Sequence, residues 1–124
     1  MMKFLTIVTF ALLPLSALAN QVYFQSPSGN IYCEGGNGSV GCFIFETNQG
    51  VNDGCAYIIE SGASKARRVC GADGSNDDEP VTTLHYGKSI NGKGWTCTSQ
   101  QVGMRCVNKA GKGFQLSRAK QSLF

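Results

Sequence analysis

The chain has 124 residues, 42% of them hydrophobic, with 16 Gly, six Cys, one His, and 11 Lys and Arg against 8 Asp and Glu. A formal charge of +3 is too mild to argue for nucleic acid as a partner, and a single histidine cannot build a histidine metal cluster. The length suits one domain with a modest core, for which covalent staples matter.

In chain order, residues 1–19 read as a secretory signal peptide and not as part of the fold. Met1-Met2-Lys3 gives a short positive start, Phe4 to Leu13 an apolar run, Pro14 a break, and Ala17-Leu18-Ala19 small residues at the cleavage positions. The run is too short to stay in a bilayer as a span, and no cysteine follows the cleavage site to take a lipid, so no membrane anchor is expected. Residues 20–124 then form a single domain, exported to the periplasm or to the extracellular space. Without Lys3, ten basic and eight acidic residues remain, unevenly spread. Asp73, Asp77, Asp78 and Glu79 crowd one stretch, and Arg105, Lys109, Lys112, Arg118 and Lys120 make the C-terminal part basic.

The strand signal begins at "VYFQS", and "SPSGN" (26–30) reads as a turn leading into the strand that carries Cys33. All six cysteines, Cys33, Cys42, Cys55, Cys70, Cys97 and Cys106, lie in the exported part, and an even number there reads as three disulfides. In a hairpin with a two-residue loop, paired positions share a constant sum. Asn37-Gly38, the strongest two-residue hairpin signal, gives Cys33 and Cys42 that sum. The two cysteines therefore face each other across a stapled hairpin; a zinc or redox pair would want C-x-x-C spacing.

Further along, "AYIIE" and "KARRVC" read as strands around an "SGAS" turn, and "VTTLHYG" as another strand. Cys97 and Cys106 repeat the spacing of the first pair, with Trp95 placed where Ile31 precedes Cys33. The connection there is expected to be the four residues Gln100 to Gly103. This is a weak internal repeat of two cystine-braced hairpins, and Cys55–Cys70 follows by elimination. "GFQLS" is the last strand, and Ser117 is expected to N-cap a short C-terminal helix over "RAKQSLF". The fold class is mostly β: a small antiparallel sheet or barrel-like domain built from disulfide-stapled hairpins, with that one helix.

"FQSPSGNIYC", "CGADG", "HYGKS", "WTCTSQQVGMRCVN" and "GKGFQLSRAKQSLF" resemble a family of small exported bacterial domains of unknown function. The family pattern is roughly F-x-S-P-S-G-N-I-x-C near the start, with C-x-S-x-x-x-G-x-x-C-x-N and G-x-G-F-x-L-S-R near the end, and the likeness runs from Phe24 to Phe124. It implies export and a compact cystine-braced β fold, and it implies no reaction. This chain departs from the pattern at Lys112, where the family often has His, and between Cys55 and Cys70, where a common Trp-Gly is missing.

No catalytic set is expected. His85 stands alone, without a second histidine or a spare thiol beside it, and reads as an ordinary strand residue. The acidic stretch does not fit a twelve-residue calcium loop and reads as a solvated loop. "GKGF" lacks the frame of a phosphate loop, and Asn37-Gly38-Ser39 spells a sequon discounted inside a tight turn. No cofactor and no metal are expected. Lys112, flanked by glycines, with Phe114, Arg118 and Lys120, is the candidate binding set. It suits an acidic cleft on another protein, a toxin or an envelope hydrolase, in the manner of periplasmic inhibitors and immunity proteins. Two other classes stand beside this one. A cell-envelope or glycan-binding module would use Trp95, Tyr86 and Phe114 as stacking platforms, and a small hydrolase would use His85.

Overall fold

The computed structural model describes residues 21–51, 54–71 and 80–124. The signal segment and the acidic stretch 73–79 lie outside these residues. Among the described residues there is no helix, and none long and apolar enough to cross a membrane. The strands are β1 (Val22–Gln25), β2 (Ile31–Gly35), β3 (Ser39–Ile44), β4 (Glu46–Thr47), β5 (Gly50–Val51), β6 (Cys55–Glu60) and β7 (Arg67–Cys70). They are followed by β8 (Thr82–Thr83), β9 (Ser89–Gly92), β10 (Trp95–Gln100), β11 (Gly103–Asn108), β12 (Gly113–Leu116) and β13 (Gln121–Leu123).

Two sheets carry the domain. The first runs β7-β6-β3-β2-β1-β8 and the second β13-β12-β11-β10-β9, with β4-β5 as a separate small ribbon. Inward residues alternate along the strands, as half-buried sheets require. In β3 they are Val40, Cys42 and Ile44; in β10 they are Trp95, Cys97 and Ser99. The buried residues of both sheets form one cluster, built on Phe24, Ile59, Met104, Phe114 and Leu116.

All three disulfides join the expected partners, Cys33–Cys42, Cys55–Cys70 and Cys97–Cys106. The first hairpin turns at Asn37-Gly38, where Gly36 N donates to Ser39 O at 2.9 Å and Gly38 has φ +100°. Glycine is the residue that adopts this φ freely. The repeat extends well beyond the cysteines. Leaving out the ribbon and β8, each half is a five-stranded antiparallel meander stapled between its second and third strands. In the first, Phe24, Cys33, Cys42 and Tyr57 lie in register; in the second, Ile90, Cys97, Cys106 and Phe114 do. Equivalent positions meet across the interface. Cys42 Sγ lies 3.8 Å from Cys106 Sγ, and the Tyr57 and Phe114 rings are 6.3 Å apart. The two meanders are thus related by a quasi-twofold axis that reverses strand direction.

Trp95 covers this interface. Its ring stacks on Phe24 at 6.2 Å, its indole N–H donates to Gly36 O at 2.8 Å, and a side chain on Gly35 or Gly92 would collide with it. At the far side, Phe124 closes the seam between the sheets. Its carbonyl accepts from Ala66 N, just before β7, and from Gly113 N, while its own N–H donates to Gly113 O.

Three local expectations are corrected. Residues 117–124 form a turn and β13, and no helix: Ser117 Oγ accepts from Lys120 N at 3.1 Å and donates to Lys120 O, bonds that close one turn. The chain then pairs with β12, which satisfies its backbone better than a lone helical turn could. The second hairpin turns on two residues, Gln101-Val102, because Gln100 and Gly103 already pair. "VTTLHYG" is no single strand. Only Thr82–Thr83 pair with β1, in parallel, and after Leu84 the chain turns at His85–Lys88 to cross from the first sheet to the second.

Two outcomes follow from this packing. Gly92→Ala should cost about 1–3 kcal/mol by crowding the indole and much less in a Trp95→Ala background; chemical denaturation of the four proteins of the cycle measures that coupling. Ser99 Oγ is fully buried with no partner among the described residues. Ser99→Ala should therefore be neutral or raise stability by up to about 1 kcal/mol, read from the same kind of denaturation curve.

Candidate functional site

The residues singled out in the sequence do not come together. Phe114 is completely buried under Tyr57. Lys112 is exposed in the β11–β12 turn, whereas Arg118 and Lys120 occupy the β12–β13 turn at the other end of β12. Six residues of extended chain put about 20 Å between Lys112 and Arg118. Trp95 is buried, and of the three expected stacking platforms only Tyr86 is exposed. His85 is exposed in the crossover turn, and its side chain makes no hydrogen bond to another described residue. The sulfurs of Cys42, Cys97 and Cys106 lie within 4.8 Å of one another, but all three are in disulfides and offer no thiolate to a metal.

The Lys112 turn is held rigidly. Asn108, buried at its base, accepts from Ala110 N and Lys112 N through Oδ1, both at 3.0 Å. Its Nδ2 donates to Glu60 O at 3.0 Å and Ala63 O at 2.9 Å. Every donor and acceptor of one amide is used, and the turn is clamped to the β6–β7 connection of the opposite sheet.

The quasi-twofold axis exchanges the two ends of the domain, and the ends differ. At the end near Lys112, the Asn37-Gly38 turn is seated between two others: Gly38 N donates to Lys93 O at 3.1 Å, and Ser61 N donates to Gly38 O at 2.8 Å. Its counterpart at the other end is Gln101-Val102. Neither of these residues makes a backbone hydrogen bond to a neighbouring turn among the described residues. An open cleft of about 800 Å³ lies there instead. It is bounded by the Ser26–Asn30 turn, the Ile44–Glu46 segment, Tyr86, the Gln100–Gly103 hairpin end and the Ser117–Ala119 turn.

Four large hydrophobic side chains are notably exposed among the described residues: Phe45 (37%), Val51 (78%), Tyr86 (49%) and Val102 (68%). Three of them, Phe45, Tyr86 and Val102, line this cleft. Phe45 is braced on Phe43, ring centroids 5.0 Å apart. Among the described residues the only charges lining the cleft are Glu46 and Arg118, which pair at 3.4 Å and are both more than half exposed, so the pair adds little stability and leaves this lining without net charge. Asn30 is spent on the wall, donating to Glu46 O and accepting from Glu46 N. The side chains of Asn48, Gln101 and Tyr86 have no hydrogen-bond partner among the described residues.

A family model matches residues 46–124. The chain belongs to the DUF6636 family, a family of unknown function. The DUF6636 span holds the whole second meander together with β6 and β7, and it contributes Glu46, Asn48, Tyr86 and the two later turns to the cleft. The wall from Ser26 to Phe45 precedes it. Comparison with curated proteins and with solved structures gives no match.

Sequence reasoning had Tyr86 and Arg118 in view but not Phe45, Glu46, Gln101 or Val102. One signal was present: Val102 is a large apolar residue in a tight turn, where polar residues and glycine are the rule. For the clamp under Lys112, Asn108→Ala should cost about 2–3 kcal/mol by stranding the groups it satisfies, seen as a lower denaturation midpoint with an unchanged slope.

Proposed function

We propose that this chain is an exported binding protein that takes its ligand in the end cleft. The observation that carries the reading is the convergence of Phe45, Tyr86 and Val102 on the one end where the quasi-symmetric seat is left open. Apolar side chains are held in water at some cost, and a cluster of them around a concave, ligand-sized cleft is the usual mark of a binding site. Three disulfides suit an oxidising compartment, which supports export.

A second reading, a protein partner of the inhibitor or immunity type, is favoured by one observation. At the opposite end the equivalent seat is filled by a protein turn, Asn37-Gly38, so a partner's loop has a suitable shape. In that case contact falls on the cleft and Arg118, and Lys112 lies outside it.

Capture from periplasmic or envelope extract tests the site. Immobilised wild type and Lys112→Glu should retain the same ligand, and Val102→Glu should retain about tenfold less. Retention by Val102→Glu with loss in Lys112→Glu would move the site to the β11–β12 turn.

A further inference from the structure

The cleft's walls say what kind of ligand they suit, provided that it is the binding site. We infer that it takes a short neutral oligosaccharide, with a sugar ring stacked on Tyr86 or Phe45. Four observations carry this.

The first is neutrality. Among the described residues the lining holds one cation and one anion, Arg118 and Glu46, already paired with each other. A charged ligand would have to break that pair or leave its own charge unmet on burial. The second is the unspent polar set. Asn48, Gln101 and Tyr86 offer amide and phenol groups that both donate and accept. A ligand rimmed with hydroxyls needs that duality, since each hydroxyl also donates and accepts. The third is the pair of exposed rings at the same site. A pyranose has apolar C–H faces as well as a polar rim, and aromatic side chains supply apolar area with a defined face. Val102 and the Phe45 ring add apolar surface that suits the methyl of an N-acetyl group.

The fourth is the backbone of the walls. The lining comes mainly from turns and chain crossings, namely 26–30, 45, 48, 86, 101–102 and 117–119, and where β4 enters it Glu46 N and O are spent on the Asn30 side chain. Strand addition, the mode that gives an extended peptide its main-chain bonds, needs an open strand edge. The turns present side chains instead. A volume of about 800 Å³ also falls within the range of small-ligand sites. A protein interface, by contrast, spreads over a broad patch.

Isothermal titration of the intact, oxidised protein with maltotriose and with triacetylchitotriose provides the test. One of the two should bind, about tenfold more weakly to Tyr86→Ala or Phe45→Ala and unchanged to Lys112→Glu. Both aromatic residues are exposed, and unchanged melting curves would show that the variants fold. Binding indifferent to Tyr86→Ala and Phe45→Ala would overturn the assignment to this cleft. If neither sugar binds but wild type captures a protein that Val102→Glu loses, the glycan class is overturned and the cleft remains a protein site. If nothing binds in either experiment, the binding reading falls with it.

Discussion

The sulfur atoms of Cys42 and Cys106 meet 3.8 Å apart at the centre of the domain, and the arrangement of both sheets depends on that contact. Each belongs to a cross-strand disulfide that locks a hairpin in register. A slip of one residue would turn every inward side chain of the hairpin outward. With both registers fixed, the faces presented to each other are fixed too, and Tyr57 must meet Phe114 as Cys42 meets Cys106. Cystines are slim, so the sheets approach closely there, and Trp95 fills the wider gap beside them, admitted by the bare backbones of Gly35 and Gly92.

The same symmetry makes the cleft intelligible. Two copies of one meander would give two equal ends, and the difference between the ends arises from connections. The turn between β9 and β10 is only Lys93-Gly94, short enough for Asn37-Gly38 to reach and bond to it. Its counterpart between β1 and β2 is the longer Ser26–Asn30 turn, folded on itself by Ser26 N to Ile31 O and by Gly29 N to Ser26 O. With these groups spent within the turn, and Asn30 O accepting from Phe45 N, it offers no seat to Gln101-Val102. The β4-β5 ribbon is tied to Arg118 O through Asn48 N and walls the space further. The opening is thus a product of loop length on an otherwise repeated frame.

How much of this was legible in the sequence follows the range of the interactions. The disulfides could be read because each staple lies within one hairpin, whose turn residues and spacing are local. The pairing of meanders could not, since contacts such as Cys42 with Cys106 join residues far apart and leave no spacing signal. Ser117 was ambiguous in a different way. A hydroxyl bonding to a backbone N–H three residues on caps a helix or closes a turn equally well, and the presence of β12 alongside decides. Asn108 looked like any strand-end asparagine, and its four bonds exist only because the β6–β7 connection arrives from the other sheet. The cleft draws on separated segments, so the sequence pointed to Tyr86 and Arg118 singly and Val102 was passed over, although an apolar residue in a tight turn is incongruous. At Lys112 the flanking glycines suggested a free backbone, while Asn108 holds it from below through its side chain.

The seam at Phe124 bears on how the domain keeps apart from other chains. Outer strands of open sheets are templates for edge-to-edge aggregation, and proteins blunt them with charge or by covering them. Here β7 and β13 are both outer strands on the same side of the sandwich. The bond from Ala66 N to Phe124 O joins them, so a foreign strand meets a corner there in place of two parallel edges. Arg67 and Arg68 stand exposed on β7, and Arg105 lies over the Phe124 ring at 4.6 Å. Charged side chains, with Arg67 paired to Glu60 at 3.2 Å, therefore cover the side where these two edges run together and leave no bare template for strand addition.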